Sequence, residues 1–263
     1  MMKNEQAILR FAVSAGEVLL KNGGEIFRVQ ETISRILEAF GLRNHSLYIL
    51  SNGIFVTLNE GDENNCFALR FVPSAKTHLG RIAAVNELSR KIGREGGDPV
   101  KLTEYEAELA ACESLPFAPL WIQVLACAAG SGSFCFLFGG KAFDCLAAFV
   151  CGIVLQLFLS FYGKRQVSRY IPTILGSAVV SLMAAGMVSF FSGLSLGHII
   201  VGSVIALVPG VAFTTSIREF FNGDYLSGSI HLIDALLTGI CIAAGVATSL
   251  WVWQLISGRG LFL

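Results

Sequence analysis

Charge is what this sequence runs short of. After Glu113 it holds six Lys/Arg and four Asp/Glu, against 13 and 15 up to that point. The net charge is zero, so no basic excess exists to hold nucleic acid. The mean hydropathy of +0.65 is far too high for a soluble domain of 263 residues. No two of the seven cysteines form a CxxC pair, and their number is odd and their spacing irregular. That sets aside a disulfide framework and a zinc site, and leaves reduced structural thiols. No H-E-x-x-H pair or P-loop is present, so no metal or phosphate chemistry announces itself. The N-terminus lacks the continuous apolar core of a signal peptide, because Arg10, Glu17 and Lys21 interrupt it.

The charge boundary divides the chain into a soluble part, 1–113, and a membrane part, 114–263. In the first part, apolar residues from Ile8 to Leu19 recur at helical spacing, and Gly23-Gly24 stops the run. A second helix is expected from about Glu25 to Phe40, ended by Gly41. His45–Ser51 and Ile54–Asn59 read as strands joined by an Asn52-Gly53 turn of type I′. Glu60–Asn65 reads as a polar turn and Cys66–Val72 as a third strand. Thr77 is placed to cap a helix from about His78 to Arg94. Thr103 and Glu106 form a capping-box pattern for a short helix reaching about Glu113. The expectation is a small α+β domain.

The second part contains five apolar spans, at about 117–138, 142–162, 171–192, 196–215 and 230–256. Each approaches the roughly 20 residues that a spanning helix needs. Trp121, Trp251 and Trp253 lie near span ends, where interfacial anchors sit. Lys164, Arg165 and Arg169 follow span two and Arg218 follows span four; Lys141 and Arg259 stand on the other side. The positive-inside rule then puts the N-terminal domain in the cytoplasm and the C-terminus outside.

Chemistry concentrates in Leu207–Gly228, LVPGVAFTTSIREFFNGDYLSG. Pro209 removes a helix hydrogen bond and Gly210 adds backbone freedom, so span four is expected to break there. Interrupted helices of this kind point to transporter substrate sites; the plain alternative is a kink before a loop. Thr214, Thr215 and Ser216 offer hydroxyls to a polar substrate, or bond back to their own helix. Arg218 can hold a carboxylate bidentately, or pair with Glu219 and Asp224 in a solvated loop. Asp234 and His231, three residues apart on one helix face, are candidates for carrying a coupling proton, an intramembrane carboxylate being costly. Asp144 is expected to pair with Lys141, Gln123 and Gln156 to join helices, and Glu25, Arg28 and Glu31 to form an ion-pair ladder. His45 and His78, with several Ser and Asp residues, leave a membrane-anchored hydrolase, its site in the N-terminal domain, as the alternative from another class. A non-transporting scaffold is a third reading. No metal or cofactor is called for.

The stretches AGEVLLKNGGEIFRVQETI and THLGRIAAVNELSRKI, then GSVIALVPGVAFTTSIREFFNGDYLSGSI and HLIDALLTGICIAAG, follow one another in a familiar order. In them the chain resembles the threonine/serine exporter family, in its short, YjjP-like form. The family commonly has Asp where this chain has Glu219, and often Asn where it has Thr215-Ser216. The resemblance implies a cytoplasmic domain followed by about five spans in a bacterial inner membrane. It implies that this chain is the first half of a split exporter, with a separate small membrane protein supplying the second half. The solutes it implies carry a carboxylate: threonine and serine, or dicarboxylates such as succinate. A homo-oligomer is left open. Pro209, Gly210, Thr214, Thr215, Arg218 and Asp224 are then the substrate-binding candidates, with Asp234 and His231 for proton coupling.

Overall fold

The computed structural model describes residues 2–58, 65–73, 77–162, 168 and 170–258. Nearly all of the expected polar turn at Glu60–Asn65, the basic residues Lys164, Arg165 and Arg169, and Arg259 lie outside the described residues. The chain divides into two compact units between Phe117 and Ala118.

In the first unit, helices α1 (Met2–Lys21) and α2 (Ile26–Ala39) pack their apolar stripes on a three-stranded sheet. Strands β1 (His45–Leu50), β2 (Gly53–Leu58) and β3 (Cys66–Phe71) are antiparallel in that order. Helices α3 (Leu79–Glu95) and α4 (Leu102–Glu113) complete the core. Leu9, Leu19, Ile33, Leu37, Ile54, Leu58 and Ile92 are all fully enclosed in it. Period-2 alternation sends Ile54, Val56 and Leu58 inward. On the outer face, Tyr48 and Leu69 flank Phe55 in register, and Phe67 and Phe71 stand exposed beside them.

Three expected termini differ. Leu50 pairs with Gly53, so the hairpin loop is Ser51-Asn52 and Gly53 is an extended strand residue, outside the positive-φ conformation that an Asn-Gly I′ turn requires. His78, not Thr77, caps α3, its Nδ1 accepting from Arg81 N–H at 3.1 Å. Thr103 lies inside α4, which grows from a 3₁₀ turn at Pro99–Lys101 capped by Asp98, so the Thr103–Glu106 box does not form. Of the expected ladder, Arg28 pairs with Glu25 and Glu31 pairs with Arg35.

The second unit is helical. Helices α5 (Leu120–Leu137), α6 (Ala142–Tyr162), α7 (Tyr170–Phe190) and α10 (Tyr225–Ser257) are each long and apolar enough to cross a membrane. Helices α8 (Leu196–Val204) and α9 (Gly210–Phe221) make a fifth candidate if taken as one span, bent by 62°. The protein is thus mostly helical, with four to five candidate spans and one small sheet. Two expected bounds move: the helix after the break runs on to Phe221, and α10 begins at Tyr225 rather than near 230. At 33 residues, α10 is about 50 Å long at 1.5 Å per residue.

Small residues fill the inside of this unit. A Cβ on Gly152 would lie 2.9 Å from the Ala128 Cα, and one on Gly202 would lie 2.8 Å from the Cys135 Cα, so α6 and α8 approach α5 backbone to backbone. A Cβ on Gly245 of α10 would collide with Ser177 Oγ and the Ile174 carbonyl of α7. Buried Ser177, Ser181 and Ser203 donate to carbonyls three or four residues back in their own helices. Gln156 donates to Gln123 at 3.1 Å and joins α6 to α5. Large apolar side chains such as Phe143, Leu146, Leu236 and Trp251 point outward, which suits lipid contact. Asp144 departs from its expected partner. Its carboxylate accepts the Lys141 backbone N–H at 2.9 Å, not the ammonium, and the Ser195 N–H at 2.7 Å.

Candidate functional site

The break lies where Pro209 predicts it. After α8, a 3₁₀ turn at Ile205–Leu207 gives way to extended Val208. Pro209 then stands at the N-cap of α9 without a side-chain cap. Gly210 N–H bonds to Val208 O and Phe213 N–H to Pro209 O. The N–H groups of Val211 and Ala212, between them, have no hydrogen-bond acceptor among the described residues. A helix start with free N–H groups favours an anion.

Helix α9 continues through the residues expected to form a loop, and its period sorts them onto two faces. Thr214 and Arg218, four apart, share the exposed face; Ser216 and Glu219 share the buried one. Thr214 Oγ1 is within 3.0 Å of the Gly210 carbonyl and 3.1 Å of the Val211 carbonyl, so its hydroxyl proton is used by its own helix. Thr215 is half-buried. Arg218 lies eight residues along from Gly210, about 12 Å at the helical rise. The backbone of Arg218 is thus more than two turns from the free helix start.

Gly223, with φ of 81°, turns the chain after α9. Asp224 then caps α10, accepting the Ser227 N–H at 3.2 Å. The binding candidate Asp224 is thus already committed to a helix end. His231 does not turn to Asp234. Its Nδ1 lies 2.7 Å from Glu219 Oε2, across the α9–α10 interface. Asp234 instead accepts from the Tyr170 hydroxyl at 2.9 Å and ties α10 to the start of α7.

The structure therefore joins Glu219 to His231 and Tyr170 to Asp234, and sets Thr214 and Arg218 on a separate outward face. The sequence offers Glu219 only as a charge that pairs with Arg218 in a loop, and gives Tyr170 no role. Glu219 carried one signal: it is three residues from Ser216 and one from Arg218, so a helix continuing past Thr215 turns it inward. Tyr170 carried none beyond its place at a span end.

In the first unit, His45 Nε2 lies 3.1 Å from Ser34 Oγ, but its Nδ1 meets the Leu42 carbonyl at 2.9 Å. A backbone carbonyl occupies the place a triad gives to a carboxylate. Among the described residues no three His, Cys, Asp or Glu side chains converge as metal ligands would.

The sequence matches the family described as "Putative threonine/serine exporter" over residues 10–253. It is 23% identical over 260 residues to the threonine/serine exporter of Corynebacterium glutamicum, covering 95% of this chain and 52% of that protein. It is 21% identical over 258 residues to the "Probable succinate transporter subunit YjjP" of Escherichia coli (strain K12), covering 96% of this chain and 97% of that one. The protein of the same description from Klebsiella aerogenes is 23% identical over 259 residues, with 96% and 97% covered. The chain thus spans about half the length of the first relative and nearly all of the other two. No solved structure matches it.

Proposed function

From the premise that the chain belongs to the threonine/serine exporter family, we propose that it is one subunit of an exporter of small carboxylate-bearing metabolites. The solutes are threonine and serine, or dicarboxylates such as succinate, and a second small membrane protein completes the pathway. The chain is a multi-pass membrane protein. In this reading it lies in a bacterial inner membrane, with the charge-rich N-terminal unit in the cytoplasm and the C-terminus outside. The observation that carries the reading is the broken span: Pro209 and Gly210 open a helix start whose Val211 and Ala212 N–H groups face no acceptor among the described residues. A carboxylate suits that position, because the helix dipole and the free donors act together. Arg218, about 12 Å further along α9, is then a guide at the mouth, drawing the anion in before the helix start receives it. Thr214 and Thr215 flank that route and retain oxygen lone pairs for a solute's ammonium or hydroxyl group. Two relatives being described as a transporter subunit, each nearly as long as this chain, supports a split assembly.

The test is efflux from preloaded proteoliposomes, comparing threonine, serine and succinate, with the chain alone and with its candidate membrane partner. Flux that needs both proteins supports the split exporter, and the preferred solute fixes its class. Arg218→Ala is expected to lower flux and weaken its dependence on salt. A variant that exports at the parent rate removes the guiding role. No flux from folded protein, with or without the partner, would favour a scaffold.

A further inference from the structure

Helices α9 and α10 form a hairpin whose inner face is drawn tight. A Cβ on Gly228 would lie 3.1 Å from the Ser216 carbonyl and 3.0 Å from the Phe220 ring, so a larger residue would need its neighbours to give by a few tenths of an ångström. Into this seam the chain puts an acid and a base. Glu219 has 7% of its side chain exposed, and its Oε2 meets His231 Nδ1 at 2.7 Å. Two further oxygens in the hairpin are buried without a hydrogen-bond partner among the described residues: Glu219 Oε1 and Ser227 Oγ. Ser227 is one helical turn before His231 and so shares its face. The neighbouring titratable groups are Asp224, Asp234 and Arg218, and both aspartates act on His231 through their charge. Asp224 is held by the Ser227 N–H, Asp234 by Tyr170 of α7, and Arg218 lies on the exposed face of α9.

We propose that Glu219 and His231 form a proton-exchanging latch between the broken span and α10, the proton-coupled element of the transport reading on which this inference rests. One proton lies in the hydrogen bond itself. A second, on His231 Nε2, makes the pair neutral overall, as a carboxylate facing an imidazolium. A neutral pair is the form that a low-dielectric seam favours, since an isolated buried charge is far more costly than a matched one. When Nε2 gives its proton to water, the pair becomes a net anion, with one carboxylate oxygen that no donor reaches. That form becomes tolerable when water enters the seam, and water enters when α9 moves off α10. Helix α9 is the limb beyond the Val208–Pro209 break, so it can swing without unwinding α8. Proton release and opening of the hairpin are then one event. Asp234 differs: its Oδ1 accepts from the Tyr170 hydroxyl, and among the described residues neither of its oxygens is buried without a partner.

The test has two arms, each applied to the full chain with its partner in lipid. In the first, infrared difference spectra across a pH titration follow carboxyl and imidazole bands in nanodiscs. The expected result is one shared midpoint for both bands in the parent. In Glu219→Gln the carboxylate component is lost and the imidazole midpoint moves. In Glu219→Asp both persist at a new midpoint, and in Asp234→Asn they still share one midpoint, moved by the loss of a charge one turn from His231. Parent-like imidazole titration in Glu219→Gln, or carboxyl and imidazole bands that part in Asp234→Asn, overturns the latch. In the second arm, Glu219→Gln keeps solute exchange at equal pH but loses gradient-driven flux by about a hundredfold, the low end of what removing a proton-transferring group costs. Gradient-driven flux at the parent rate overturns the proposal. If the parent moves no solute, the transport reading fails, and the spectra still decide whether the pair exchanges a proton as one unit.

Discussion

Asp144 offers the sharpest test of how the membrane unit is held together. Its carboxylate is 1% exposed and accepts two backbone N–H groups, from Lys141 just before α6 and from Ser195 just before α8. Hydrogen bonds to a charged acceptor contribute about 1.5–3 kcal/mol each. Asp144→Ala removes both and leaves two donors unpaired, so the expected loss is about 3–6 kcal/mol. Asp144→Asn keeps one carbonyl oxygen but turns an NH₂ group toward the second donor, so roughly half that loss, about 2–3 kcal/mol, is expected. For a unit of this size each kcal/mol corresponds to about 2–4 °C, which puts the alanine variant on the order of 10 °C below the parent. Trp121, Trp251 and Trp253, all the tryptophans in the chain, lie in this unit. Intrinsic tryptophan fluorescence during heating in nanodiscs therefore reports its melting. An alanine variant that melts with the parent, or an asparagine variant less stable than the alanine one, would refute the assignment of two charge-assisted bonds.

Two glycines on one helix separate close packing from helix propensity. Gly245→Ala is expected to destabilise the protein, because the added methyl meets Ser177 Oγ and the Ile174 backbone; Gly239→Ala has open space around it and is expected to be neutral or slightly stabilising, both read in the same melting assay. In the first unit, burial raises the thiol of Cys112 above its ordinary pKa, and Glu108 adds to the effect. Alkylation of Cys112 at neutral pH is therefore expected to lag behind that of free cysteine and to catch up on unfolding, which mass spectrometry of the labelled peptide would show.

What the sequence made legible was whatever a local rule controls. The apolar stripes of α1 and α2, the glycine stops at Gly23 and Gly41, and the Pro209 break each depend on residues within one or two turns. Where two local signals competed, the stronger motif misled. Asn52-Gly53 is a preferred turn pair, yet Gly53 is drawn into the ladder opposite Leu50. Thr77 is a better cap than His78 by type, but the His78 ring also meets the Pro116 carbonyl and so is held in place. The site failed to appear for a different reason. Arg218 and Glu219 look like the end of a span because charges do not belong in hydrocarbon. Helix α9 carries Glu219 inside because His231, twelve residues later and on another helix, is there to meet it. The Tyr170–Asp234 bond spans 64 residues and the Asp144–Ser195 contact spans 51. Such partners are set by how helices pack, which no spacing rule encodes.

The length of α10 has a consequence for direction. A bilayer's hydrocarbon layer is about 30 Å thick, and spanning helices tilt by about 20° on average, so a helix of about 50 Å overshoots it by several turns. With Trp251 and Trp253 held at one headgroup layer, about 21 residues of helix reach the opposite boundary, near Leu232. The first turns of α10, with the hairpin that carries Glu219 and His231, then stand at that boundary rather than midway. A titrating pair at such a level meets the water of one compartment first while the hairpin is closed. A proton from that side would load without crossing hydrocarbon, and only its passage to the far side would need the hairpin to move.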